Sequence, residues 1–182
     1  RGRLPDPAEP QRPATPPASP IRAGRREALW KVIEAGDCTF VSSDHSAWPL
    51  ERKTNASIFD VAAGMPGLEN LLPVFFSDCV ARYGADIAAA MSADWLSDRP
   101  ARFFGLTRKG RLLPGMDADI AVLAPEPSVY DAKANPDGPG WSAYQGETMA
   151  VRPLATFVRG QLAYDGSSVV AGPGSGRFVP RG

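Results

Sequence analysis

The spacing of apolar positions changes near Leu106. Before that point it is helical. Ala28, Leu29, Val32 and Ile33 recur at three- and four-residue intervals after Arg22, and Gly36 supplies a stop, which predicts a helix. The β-prone run 38–43 predicts a buried strand ending at Asp44. Residues 45–63 read as a loop with a short helical piece, and Lys53 lies within it. Leu68 to Arg82 is apolar on most faces and predicts a buried helix. Pro73 falls near its start, where proline is tolerated, and Gly84 ends it. Asp86 to Met91 and Ala93 to Phe104 predict two further helices, with Pro100 opening a turn-rich last piece.

From Arg108 the pattern becomes that of short strands. Arg111-Leu112-Leu113 and Asp119 to Leu123 alternate or run apolar over a few residues. Thr156 to Tyr164 reads as two strands around a tight Arg159-Gly160 turn, and Asp165-Gly166 is a second turn signal. Residues 131–147 form a long loop rich in Gly, Pro and Asn. Residues 1–20 hold seven prolines and few large apolar side chains, so burial there cannot offset ordering entropy, and the stretch reads as disordered. The expected organisation is thus a Pro-rich segment (1–20), an α/β part (21–106) and a small β part (107–182). No internal repeat interrupts it.

Charge and length narrow the classes. Twenty basic residues balance twenty acidic ones, and no basic stripe points to nucleic acid. No apolar run approaches the ~20 residues of a membrane span, and the charged, Pro-rich start is not a signal peptide. Two cysteines, Cys38 and Cys79, are too few for a disulfide framework and predict reduced thiols in a cytoplasmic protein. The 182 residues suffice for one domain's core but fall short of the roughly 250 of a complete (β/α)8 barrel.

The chemistry concentrates at Ser43-Asp44-His45. A carboxylate closing a strand and followed at once by a histidine fits the place where barrel enzymes keep catalytic groups. An ordinary loop aspartate capping a turn fits the same residues. Gly64-Met65-Pro66-Gly67-Leu68-Glu69 follows, and Gly115-Met116-Asp117-Ala118-Asp119 comes later. In this order the three segments resemble the C-terminal third of the metal-dependent cyclic amidohydrolases: allantoinases, dihydropyrimidinases (hydantoinases) and dihydroorotases. The resemblance runs from about Ser19 to the end of the chain.

The resemblance implies a fold and a reaction. The fold would be α/β plus small β: the last strand and following helices of a TIM barrel, with part of a β-sandwich. The reaction would open a cyclic ureide or imide at a C–N bond with a hydroxide held by divalent metal, which lowers the pKa of water and polarises the carbonyl. Asp44 would be both a metal ligand and the carboxylate that moves the proton. His45 would reach the substrate rim, or else bond to backbone. Pro66 and Gly67 would line the substrate through backbone groups, or else simply open a helix. The metal implied is zinc, the ligand a small cyclic amide, and the intact enzyme a homo-oligomer.

The same resemblance also implies what is missing. The family's His-x-His pair, carbamylated lysine and two further histidines have no counterpart, since His45 is the single histidine. Lys53 does not match that lysine, which lies on a middle strand. The chain alone is therefore expected to be inactive. Trp48 stands where dihydroorotases carry a second histidine, which favours the allantoinase and hydantoinase branches, while Gly176 to Arg181 resembles a dihydropyrimidinase-like tail. Asp117 and Asp119 fit turn capping better than metal binding. Other classes remain open: a non-catalytic dihydropyrimidinase-related assembly protein, a dihydroorotase, and a standalone interaction module.

Overall fold

A computed structural model describes residues 25–181 apart from 55, 56, 136 and 137. The Pro-rich segment 1–20 and the start of the resemblance near Ser19 lie outside the described residues. Helix α1 (Arg25–Ala35) ends as its pattern requires: Gly36 N–H donates to Ile33 O at 3.0 Å and Asp37 N–H to Val32 O at 3.0 Å. Its buried face differs from the expected one. Trp30 is 6% exposed and Ile33 packs against the core, whereas Leu29 and Val32 face outward because no described element covers them.

Helix α2 (Leu71–Tyr83) begins three residues later than its pattern, since the turn Leu68–Asn70 closes first. Helix α3 (Ala85–Ala93) runs into a wide π turn (Asp94–Asp98) and then α4 (Arg99–Phe103). Pro100 explains the wide turn. It has no N–H for the helical ladder, and Arg99 N–H instead reaches back to Asp94 O. The core is largely aromatic: Trp30, Phe75, Phe76 and Trp95 surround Cys79 and Ala88, with Val151 arriving from the β part. Trp30 stacks on Phe75 at 5.7 Å, and Arg82 lies 4.6 Å over the Trp30 ring while gripping Glu27 with two nitrogens. Both cysteines are free thiols, and burial pushes Cys79 up to about 11.

The β part holds a three-stranded antiparallel sheet in the order β1 (Ile120–Ala124), β4 (Arg152–Val158), β5 (Gln161–Tyr164). Arg159 (φ 51°) and Gly160 (φ 77°) join β4 to β5, and two successive positive φ values are the signature of a type I′ hairpin. Pro153 sits on the central strand, and the register breaks beside it, between Val122 and Leu123, where the missing N–H leaves the ladder incomplete. A second pair, β2 (Ser128–Val129) and β3 (Thr148–Met149), closes the stem of the long loop. No helix among the described residues is long and apolar enough to cross a membrane.

Two expected strands are corrected. Residues 38–43 are irregular, with a bend at Thr39, and pair with no strand, because no strand among the described residues lies beside them. Their polar groups are served otherwise: Val41 N–H donates to Trp95 O at 3.3 Å, and Arg99 Nη1 to Cys38 O at 3.4 Å. Arg111-Leu112-Leu113 is irregular as well. Arg111 is held by Asp98, and both leucines are exposed, so no apolar face drives a ladder.

Candidate active-site loop

Asp44 is exposed and carries a backbone φ of 46°. Positive φ is uncommon for a residue with a side chain, although aspartate tolerates it better than most. Among the described residues its carboxylate accepts no hydrogen bond, so it caps no described turn. The next residues run alongside the second segment. His45 bridges to Met65 in parallel, and Ser46 N–H donates to Met65 O at 2.9 Å. The two runs touch at a second point: a side chain at Gly67 would come within 3.2 Å of Ser43 O. The chain fold therefore places Asp44, His45, Pro66 and Gly67 in one small patch, with Pro66 buried and Asp44 at its surface.

His45 does the holding. Its Nδ1 accepts N–H groups from both Gly67 and Leu68 at 3.1 Å. With Nδ1 unprotonated, a neutral ring carries its proton on Nε2. A bond to backbone is thus observed on the Nδ1 side of the ring. It also means that the Gly67 N–H points at His45, leaving carbonyl oxygens as that residue's free backbone group.

The 20-residue excursion between the two runs is closed from within. Lys53 is wholly buried, and its Nζ donates to Ala62 O and, at 2.6 Å, to Gly64 O. Trp48 Nε1 donates to Ala63 O at 2.9 Å. The long loop of the β part reaches over this excursion: Trp141 Nε1 donates to Trp48 O at 2.8 Å, and Tyr130 Oη to Glu69 at 3.1 Å. Burial, followed by the Glu69 carboxylate, raises Tyr130 above the ordinary phenol value. Sequence reading passed over Lys53, Tyr130 and Trp141 as site supports. A large indole in a Gly/Pro-rich loop was a usable signal for Trp141, while nothing local marks Lys53 as buried.

Asp117 and Asp119 lie elsewhere, at the start of the β part. Lys109 bridges both, Arg108 adds a contact to Asp117 at 3.1 Å, and Asp119 Oδ1 accepts the Arg159 N–H of the hairpin at 2.8 Å. They brace a turn. Among the described residues no group of three or more His, Cys, Asp or Glu side chains could hold a metal ion. Asp44 offers one free carboxylate and His45 only its Nε2 side, so these residues by themselves do not fit a two-metal centre.

Residues 14–163 match the model of the amidohydrolase family. The chain is 34% identical over 165 residues to an allantoinase of Rubrobacter xylanophilus, covering 89% of this chain and 36% of that protein. It is 34% identical over 151 residues to an allantoinase of Arabidopsis thaliana, covering 80% and 29%. Among solved structures it is similar to an L-hydantoinase (dihydropyrimidinase) from Arthrobacter aurescens, with a TM-score of 0.80 and 27% identity over 91% of this chain and 37% of that one. A D-hydantoinase from a Thermus species gives 0.80 and 26% over the same shares. The chain spans 29% to 37% of the length of these relatives.

Proposed function

The chain belongs to the amidohydrolase family, and from that premise we propose that it forms the C-terminal third of a hydrolase that opens cyclic ureide or imide rings, allantoin foremost. Residues 21–106 correspond in this reading to the end of a TIM barrel and 107–182 to part of a β-sandwich. The observation that carries it is the Asp44 carboxylate, without a hydrogen-bond partner among the described residues and in a left-handed backbone beside the Met65–Gly67 loop. A strained residue of this kind persists where surrounding structure holds it, and such residues cluster at active sites.

Asp44 is the proton carrier. It takes a proton from the attacking water as oxygen bonds to the ring carbonyl carbon. It returns that proton to the ring nitrogen as the C–N bond breaks, and the ring opens with one water consumed. His45 keeps Pro66 and Gly67 facing that carboxylate, and carbonyl oxygens of the loop accept N–H groups of a flat ring. Metal dependence is general in the family. Asp44 is the one donor this segment offers toward such a centre, with the others coming from the rest of the protein. The intact protein is a homo-oligomer in this reading, as the family resemblance implies.

The test is a protein of the relatives' full length in which this chain forms the matched third. It is assayed with allantoin, hydantoin and dihydrouracil for the ring-opened ureido product. Turnover of at least one ring is expected, together with none from the 182-residue chain and added zinc. A full-length protein with its divalent metal bound that opens no ring sinks the reading.

A further inference from the structure

We propose that Lys53 is a positioning residue for the Asp44–Gly67 patch: its ammonium, with the Trp48 indole, holds the Ala62–Gly64 backbone at the height that lets His45 meet Met65 and Gly67. The inference rests on reading that patch as the active site.

The segment 62–65 has each of its carbonyls engaged by the arm 46–53. Lys53 holds Ala62 O and Gly64 O, Trp48 Nε1 holds Ala63 O, and Ser46 N–H holds Met65 O. The lysine takes the alternate carbonyls 62 and 64, and the indole takes the one between them. Slippage by one residue would break all of these bonds at once and carry Gly67 away from His45. Gly64 makes the approach possible, with φ 90° and no room for a side chain against Ser46.

The choice of a cation here is costly. Lys53 is wholly buried and makes no ion pair among the described residues, so the charge loses hydration without a counter-ion. Burial lowers its pKa, which records that cost. An apolar side chain of the same length would fill the space without it. What methionine cannot do is donate several N–H bonds from a single atom to two carbonyls. The retained ammonium therefore serves loop geometry.

The experiment compares the 182-residue chain with its K53M and K53R variants by amide hydrogen exchange and by the 15N signals of the His45 ring. K53M is expected to speed exchange at Ser46, Gly67 and Leu68 by about 10-fold or more. It should also move the Nδ1 signal, while the amides of α2 and α3 stay within about twofold. K53R, which keeps a cation and N–H donors, should recover part of the loop protection. If the stem merely fills space, methionine outperforms arginine, and that order overturns the proposal. So does unchanged protection of Gly67 and Leu68 in K53M. Should both variants lose helix protection, the wild-type chain decides. Slowly exchanging Lys53 Nζ protons with contacts to Ala62 and Gly64 support the brace, and a freely exchanging ammonium overturns it. None of these readouts needs turnover, so failure here is separable from failure of the hydrolase reading.

Discussion

Residues 38–43 and 120–124 are alike in being short and β-prone, the first half apolar and the second apolar throughout. Their outcomes differ. Ile120–Ala124 finds β4 and enters a three-stranded sheet, whereas 38–43 is irregular with no ladder and is strapped to the π turn by Val41 and Arg99. Strand propensity describes how a residue's backbone sits and says nothing about which chain segment supplies the hydrogen bonds. The β part carries its own partners: β4 pairs with β1 on one side and, through a two-residue hairpin, with β5 on the other. The site-bearing part takes its order from side chains instead: His45, Lys53 and Trp48 do there what backbone ladders do in the sheet.

That contrast can be tested most strongly with its aspartates. In a protein of the relatives' length, Asp44→Asn should lower kcat by about 10²–10⁴-fold, with KM affected less, because the carboxylate acts in the transition state. Asp119→Asn should leave kcat alone and cost about 1 kcal/mol of stability through the weakened hold on the hairpin N–H. If Asp44→Asn keeps near-parental kcat at full metal content, the assignment of the two roles is wrong.

The next effect concerns close approaches. A side chain at Gly166 would lie 2.7 Å from Leu154 O, a backbone atom of the central strand that cannot step aside. Gly166→Ala should cost roughly 3 kcal/mol, combining that clash with its positive φ. Gly64→Ala meets the Ser46 side chain at 2.6 Å and should cost about 2 kcal/mol, expressed locally as faster exchange at Ser46. Thermal unfolding of both variants checks the order. Equal and global losses would mean that the loop is no more separable than the sheet.

The smallest effect is that of acid. Hydrogen bonds from Lys109, then Arg108, hold the Asp117 carboxyl below its ordinary 3.8. Its folded form binds the proton less readily than the unfolded chain does. Its contribution is therefore complete above that ordinary value and is lost as pH falls through the lower folded one. A Tm-versus-pH series for wild type and Asp117→Asn should show a gap at neutral pH that closes in strong acid. A gap that persists there would assign Asp117 a role independent of its charge.

Much of the architecture was legible in the chain. Gly36 and Gly84 end helices where the periodicity stops, Arg159-Gly160 makes the expected turn, and Asp117 and Asp119 cap and brace as their setting implied. The family was legible in three segments, Ser43-Asp44-His45, Gly64 to Glu69 and Gly115 to Asp119, and the family match bears that resemblance out. These features depend on a few neighbouring residues, whose steric and turn preferences act locally. Tertiary structure alone decided the parallel bridge between His45 and Met65, the burial of Lys53, the reach of Trp141 onto Trp48, and the missing ladder at 38–43. Each of these is a choice of partner 9 to 93 residues away or the lack of one. Such choices are made by competition for burial and for unsatisfied backbone groups, and no local pattern records which partner wins.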